Sequence, residues 1–180
     1  MQSNEIAIPL AYFITFSCYG TWLHGGKGTS VDRYHNIPKT EFLSFNQARQ
    51  MSAKKRMLET PYFLDEPQRQ IVLNTIKEVC HYRGWALMAA HVRTNHVPFV
   101  VHAMLSPENI MNTIKAYSSR RLNESKLERL RINRWTRHGS TRYLWCEEEV
   151  EATMQYVVYE QGNPMAVFEN KERLFEQIAQ

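Results

Sequence analysis

The alternation of apolar and polar residues divides the first part of the chain into a predicted strand, a helix and a hairpin. Residues 10–18, LAYFITFSC, are rich in aromatic and β-branched side chains and predict a buried strand. Residues 68–82 repeat apolar positions at helical spacing, and Gly84 is a signal for the end of that helix. Residues 85–103 predict two apolar strands joined by a turn at Arg93-Thr94.

Two further helices and another extended segment are predicted in the second half. Ser106 followed by Pro107 is typical of a helix start, and this helix is predicted to end near residue 122. Residues 134–145, RWTRHGSTRYLW, predict a hairpin or strand that turns at His138-Gly139. Residues 147–160 predict a third helix, because the acids at its start suit the positive end of a helix dipole.

The order strand, helix, strand, strand, helix, strand is typical of the ferredoxin-like plan. The predicted fold class is therefore α+β, a βαββαβ antiparallel sheet with helices on one face and an additional C-terminal helix. The 180 residues are predicted to form one domain, 1–180. Residues 20–67 predict a loop insertion with one helix over 45–58, and residues 165–180 predict a tail that docks as a short helix.

Basic residues are concentrated between positions 115 and 142. Nine lysines and arginines lie there with only two acids, whereas the whole chain has a formal net charge of +4. Such a bias is typical of a site for a polyanion, although a solvated helix face followed by a linker is the alternative. The candidate nucleic-acid contacts in this basic band are Lys115, Arg120, Arg121, Arg134, Arg137 and Arg142.

Composition also restricts the cellular setting. We find neither an apolar tract long enough to span a membrane nor an export signal in MQSNEIAIPL. The three cysteines, Cys18, Cys80 and Cys146, are isolated and odd in number, and none has the spacing of zinc ligands. We therefore expect a cytoplasmic protein with reduced thiols and no membrane partner.

The second strand of the predicted hairpin contains the most specific motif. Residues 95–101, NHVPFVV, resemble the Asn-His-Val-His-Φ-Val-Val run (Φ apolar) of the HUH single-strand DNA nucleases, specifically the REP-associated and IS200-like tyrosine transposases. Proteins of that family bind a divalent metal with two histidines that lie two residues apart on one strand face. His96 matches the first histidine, whereas Pro98 replaces the second. The resemblance covers residues 12–161 and is also specific in residues 137–142.

This resemblance implies a DNA transposase that cleaves and rejoins single-stranded DNA through a tyrosine, with Mg²⁺ or Mn²⁺. It aligns the nucleophile with Tyr156 on the third helix, with Tyr159 as the rival. It also implies a metal ligand four residues later, Glu160, with Gln161 as the second choice. At helical spacing Tyr156 and Glu160 share one side of the helix. The implied partner is hairpin DNA with a single-stranded flank, and relatives include both monomers and homodimers.

Pro98 leaves two functions open. If Arg93-Thr94 is the turn, His91 lies opposite His96 with Cβ atoms about 5 Å apart, and it is a candidate replacement ligand. Alternatively, the loss of one histidine has weakened or ended cleavage, and the chain is an inactive DNA- or RNA-binding module derived from such a transposase. In that second case His96 is a buried histidine without a metal, and the tyrosines pack at the side of the helix.

Overall fold

A five-stranded antiparallel sheet forms the centre of the molecule, in a computed structural model that describes residues 8–22, 51–52 and 54–170. The spatial order of the strands is β4-β1-β3-β2-β5. The elements are β1 (Ala11–Cys18), α1 (Glu66–Arg83), β2 (Ala86–Val92), β3 (His96–His102), α2 (Pro107–Glu124), β4 (Trp135–Leu144), α3 (Glu147–Tyr159) and β5 (Ala166–Glu169). The predicted α+β class and the βαββαβ order from β1 to β4 are confirmed.

The two faces of the sheet are covered by different helices. One face of β1 and β3, with Phe16 and Phe99, packs against α1 and α2. On the opposite face Val157 of α3 packs with Met88 of β2 and Val100 of β3. β3 is buried on both faces, which explains why its apolar run is continuous.

Local capping signals determine the ends of α1. The Gln68 N–H donates to the Asp65 carboxylate at 2.9 Å, and Gln68 Oε1 accepts from the Asp65 N–H at 2.9 Å. This reciprocal pair is a capping box, which satisfies two donors that the helix start leaves free. Gly84, at φ +66°, ends the helix in the left-handed conformation that glycine adopts without strain.

The β2–β3 hairpin turns one residue later than predicted. The Arg93 N–H donates to the His96 carbonyl at 3.0 Å, so Thr94 and Asn95 form the turn. Ala90 pairs with Phe99, and His91 therefore lies opposite Pro98 rather than opposite His96. The predicted register was wrong because asparagine suits a turn position better than arginine does.

Pro98 lies within a central strand, since β3 pairs with β1 on one side and β2 on the other. Because proline has no N–H for a ladder hydrogen bond, a proline in a strand favours either a bulge at that residue or an edge strand. Neither is observed at Pro98. The register shift between β2 and β3 lies between Leu87 and Ala89, several residues away along the ladder.

β4 continues through Gly139, so the predicted turn at His138-Gly139 is wrong. The β1–β4 register shifts beside it, between Phe16 and Cys18. A Cβ on Gly139 would lie 2.5 Å from the Thr15 carbonyl oxygen of β1. Glycine is therefore required here for the close approach of two backbones rather than for a turn.

Gly139→Ala is expected to destabilise the protein by about 1–3 kcal/mol, because the added methyl group overpacks the β1–β4 contact. The Met111 side chain can move away from that methyl group, whereas the Thr15 carbonyl belongs to the paired backbone of β1. Denaturant unfolding of both proteins measures the difference, with Ser140→Ala at the neighbouring exposed position as the control. An unchanged free energy of unfolding in Gly139→Ala would contradict the close-approach explanation.

The predicted insertion and tail are only partly within the described residues. Half of the predicted helix over 45–58 lies outside them, and residues 51–52 and 54–55 are helical. In the tail, Ala166–Glu169 is a strand rather than a helix, because it pairs with the edge of β2. Residues 171–180 lie outside the described part. The three cysteines are free, and none of the described helices has the length and apolarity to cross a membrane.

Candidate active site

Within the described residues, the middle of the β1–β4 part of the sheet is open on the α3 side. α3 lies mainly over β2 and β3. Thr15 of β1 pairs with Ser140 of β4, and Phe13 pairs with Arg142. Thr15 and Phe13 are half-buried, whereas Ser140 and Arg142 are exposed. This open face is the surface beside which the candidate residues lie.

His96, at the start of β3, is hydrogen-bonded through both ring nitrogens. Its Nδ1 lies 2.8 Å from Asn95 Oδ1, and its Nε2 lies 3.1 Å from Gln161 Oε1. Burial lowers the pKa of His96 below 6.5, and the charge of Arg93 adds to this effect. A neutral imidazole donates through one nitrogen only, so one of the two amide groups presents its NH₂ to the ring.

Gln161, rather than Glu160, comes to His96. α3 ends at Tyr159, and Glu160 has φ −105° and ψ 10°, so the helical path does not continue past it. The Glu160 N–H still donates to the Tyr156 carbonyl at 3.2 Å, but the Glu160 side chain is exposed, and the described contact with the His96 ring is made by Gln161. The Gln161 amide also donates to the Tyr156 carbonyl at 3.5 Å, so this side chain links His96 to the last turn of α3.

The two tyrosines of α3 have different surroundings. Tyr156 is 44% exposed and lies edge-on to Phe13 of the open face, with ring centroids 6.1 Å apart. The Tyr159 hydroxyl donates to Glu169 of β5 at 2.8 Å, and this hydrogen bond raises the pKa of Tyr159. The hydroxyl of Tyr159 is thus bonded at the β5 side, whereas Tyr156 lies beside the open face.

Arg142 brings a positive charge to the same face. Its guanidinium lies over the Phe13 ring at 5.8 Å, and Nη2 donates to Thr153 Oγ1 at 2.7 Å. Thr153 precedes Tyr156 by about one turn of α3. A phosphate beside Tyr156 would therefore be within the field of this arginine.

His91, proposed from sequence as a ligand, lies on the same sheet face but has both ring nitrogens bonded. Its Nδ1–H donates to the Val157 carbonyl at 3.0 Å, and Nε2 accepts from the Met165 N–H at 3.1 Å. The side chain is fully buried, and burial lowers the pKa of His91 below 6.5. Neither nitrogen is free for a metal in this arrangement. Among the described residues, no three His, Cys, Asp or Glu side chains form a metal cluster.

The basic band divides into buried and exposed members. Lys115 donates to the carbonyls of Thr136 at 2.9 Å and His138 at 3.2 Å, and burial lowers the pKa of Lys115 to about 8. Arg134 is 2% exposed and forms an ion pair with Glu128 at 2.9 Å. Lys115 therefore binds β4, and Arg134 binds the segment after α2. Because both side chains are buried, the prediction that they contact DNA is corrected. The exposed candidates are Arg120, Arg121, Arg137 and Arg142.

Residues 54–159 match the family described as IS200-like transposases. The chain belongs to the IS200-like transposase family. The match extends over more than half of the chain and contains both His96 and Tyr156. Among curated proteins, none matches this chain.

Two solved structures are similar to this transposase-family chain at low identity. One is a REP-associated tyrosine transposase bound to a REP hairpin, with 10% identity, a TM-score of 0.47, and coverage of 89% of this chain and 72% of that chain. The other is a candidate transposase from Deinococcus radiodurans, with 12% identity, a TM-score of 0.39, and coverage of 89% and 97%. The family assignment rests on the sequence match.

Sequence reasoning missed Phe13 at this transposase-family site and ranked Gln161 only second. Phe13 gave no signal, because its aromatic side chain in an apolar strand looks the same as a core residue. Gln161 received too little weight. The Gly162-Asn163-Pro164 run directly after it indicates that the helix ends just before Gln161, so a helical wheel does not predict the direction of the Gln161 side chain.

The lowered pKa values of His91 and His96 predict a loss of stability in mild acid. The unfolded chain protonates both rings near pH 6.5, whereas the folded chain resists protonation until lower pH. Their contribution is therefore complete above pH 6.5 and decreases as the pH falls below it. Denaturant unfolding across this range should show a shallower decrease in His91→Asn than in wild type. Equal slopes would contradict the burial of a neutral His91.

Proposed function

We propose that this protein binds hairpin DNA with a single-stranded flank and cleaves and rejoins it through Tyr156. The supporting observation is that Tyr156, the His96–Gln161 pair and Arg142 lie beside one open sheet face. Attack by the Tyr156 hydroxyl oxygen on a phosphodiester forms a 5′-phosphotyrosine and breaks the bond to the 3′ oxygen. Attack of a 3′-hydroxyl on that phosphotyrosine rejoins the strand and releases the tyrosine.

The donor atoms near Tyr156 fit a divalent cation that has few protein ligands. His96 Nε2 and Gln161 Oε1 are 3.1 Å apart, close to the spacing of about 3 Å between neighbouring ligands of octahedral Mg²⁺. We propose that these two residues hold Mg²⁺ or Mn²⁺ in place of the hydrogen bond between them, with His96 Nδ1–H donating to Asn95 and Nε2 unprotonated. The cation would take its other ligands from water and phosphate. Such a cation neutralises charge on the phosphate as a Lewis acid. His91 or Glu160 could join only after a change in the contacts described above.

Arginines on the exposed part of the basic band supply the proposed DNA contacts. Arg120, Arg121, Arg137 and Arg142 are exposed, although Arg121 already pairs with Glu78 at 2.9 Å and Glu124 at 3.4 Å. Exposed arginines such as these contact DNA phosphates, and each arginine–phosphate contact adds to the salt dependence of binding. DNA affinity should therefore fall steeply with salt, and less steeply after Arg120 and Arg137 are replaced together by methionine.

Pro98→His is expected to tighten Mn²⁺ binding about tenfold and to speed strand cleavage, because it adds an imidazole two residues from His96 on the same face. Incubation with labelled hairpin-flanked single-stranded DNA and Mn²⁺, read on a denaturing gel, tests both proteins. Pro98→Val is the matched control, since it restores the backbone N–H without adding a ligand. Equal effects of the two substitutions would show that strand geometry, rather than metal binding, limits the reaction.

The second candidate function is a DNA- or RNA-binding module that no longer cleaves. The bonded nitrogens of His91 and the proline at position 98 favour it, because together they leave His96 without a second imidazole ligand. This module would bind nucleic acid in a salt-dependent manner, without metal, and equally well in Tyr156→Phe. A metal requirement for a covalent product, with none for binding, would instead support the transposase.

A further inference from the structure

His91 bonds one backbone carbonyl in the last turn of α3 and one backbone N–H just before β5. The Val157 carbonyl is among the last four of the helix, which lack N–H donors from a following turn. The His91 Nδ1–H donates to this carbonyl at 3.0 Å, while Nε2 accepts from the Met165 N–H just before β5 at 3.1 Å. One buried side chain therefore joins β2 to both ends of the connection between α3 and β5.

Arg93, two residues further along, holds the middle of the same connection. Its Nη1 donates to the Asn163 carbonyl at 2.9 Å and lies 3.4 Å from His91 Nε2. Gly162, at φ +81°, lets the chain reverse next to this guanidinium. Gln161 thus lies between two anchored carbonyls, those of Val157 and Asn163.

We propose that His91 and Arg93 form a clasp that positions Gln161 against His96. His91 is then a positioning residue rather than a metal ligand, because it fixes the path of the chain after α3 and so the place of Gln161. This role requires a histidine specifically, because one nitrogen must donate and the other must accept while both are buried. For its effect on cleavage the inference rests on the function proposed above, whereas the clasp itself can be tested without cleavage.

Two variants separate the contacts of the clasp. His91→Asn keeps a donor near the position of Nδ1 but removes the acceptor of the Met165 N–H. Arg93→Met removes the bond to Asn163 and tests the clasp even if His91→Asn does not fold. The matched control is His102→Asn, since this half-buried β3 histidine donates through Nδ1 to the Leu10 carbonyl at 2.8 Å, at the other end of the strand.

Hydrogen exchange of residues 160–165, Mn²⁺ binding and adduct formation are measured on all the variants. We expect His91→Asn to speed exchange at Met165 and its neighbours at least about tenfold, and to weaken Mn²⁺ binding about 10–100-fold. We also expect a slower adduct rate at saturating DNA with an unchanged KM for DNA. Arg93→Met should have smaller effects of the same kind, and His102→Asn should leave all three quantities unchanged.

The outcomes distinguish the clasp from the proposed function. Unchanged exchange in residues 160–165, or equal effects of His91→Asn and His102→Asn on Mn²⁺ binding, would overturn the clasp. Normal cleavage by both clasp variants would also overturn it, while the transposase function would stand. If wild type forms no adduct, but His91→Asn still speeds exchange and weakens Mn²⁺ binding, the clasp stands and the proposed cleavage fails.

Discussion

Tyr156→Phe is expected to remove the covalent protein–DNA adduct, with a loss of about a thousandfold or more in its rate of formation. The substitution deletes only the hydroxyl oxygen that attacks the phosphate. The ring that lies edge-on to Phe13 remains, so fold and DNA affinity should be unchanged. A denaturing gel of labelled hairpin-flanked DNA with Mn²⁺ measures the adduct, and a binding assay on the same samples measures affinity.

Tyr159→Phe is the matched control, because it deletes the same atom three residues along the same helix. Its only described hydrogen bond as a donor is to Glu169, on the β5 side of α3. This variant should keep its adduct and lose only that surface bond. The reverse pattern, with the adduct lost in Tyr159→Phe and kept in Tyr156→Phe, would show that Tyr159 is the nucleophile.

Arg134→Met is expected to destabilise the fold by about 3 kcal/mol, since removing one partner of a buried ion pair leaves the other charge uncompensated. The Arg134 side chain is 2% exposed and Glu128 is 19% exposed, so water screens this pair poorly. Tyr62 would still donate to Glu128 at 2.9 Å, which prevents a larger loss. The loss corresponds to a decrease in Tm of about 6–12 °C for a domain of this size.

Arg120→Met is the control for Arg134→Met, because it makes the same chemical change on the exposed side of α2. Arg120 lies over the Tyr117 ring at 5.3 Å and is otherwise at the surface. Its effect on stability should be within about 0.5 kcal/mol. We expect weaker DNA binding in Arg120→Met and lower stability in Arg134→Met. The account of the divided basic band is wrong if the two variants lose the same stability.

The fold was predictable because its elements have strong local signals. β1, α1 and the β2–β3 hairpin differ in periodicity, and capping residues separate them, so the βαββαβ order follows from the chain alone. The pairing register of β2 with β3 was less predictable. Moving the turn by one residue shifts each β2 residue by two positions along β3, so every side chain stays on its own face of the sheet. Burial patterns therefore cannot distinguish His91 opposite His96 from His91 opposite Pro98, and only the turn residues do so.

Charge and hydrogen bonding account for the part of the site that could not be predicted. A sequence shows nine cations in the basic band but not which of them fill buried sites. Lys115 is buried against β4, and Arg134 is buried between Glu128 and the Tyr62 ring. Likewise, His91 has the residue type of a metal ligand. Its two backbone partners come from α3 and from the connection that follows it, more than sixty positions away.

The most direct measurement of the central claim is the chemical location of the DNA attachment. Protein incubated with hairpin-flanked single-stranded DNA and Mn²⁺ is digested with nuclease and then with trypsin, and the peptide that contains both Tyr156 and Tyr159 is fragmented in a mass spectrometer. We predict a nucleotide remnant linked through phosphate to Tyr156. A protein that binds this DNA but has no remnant on any tyrosine would contradict the account and leave a binding module in its place.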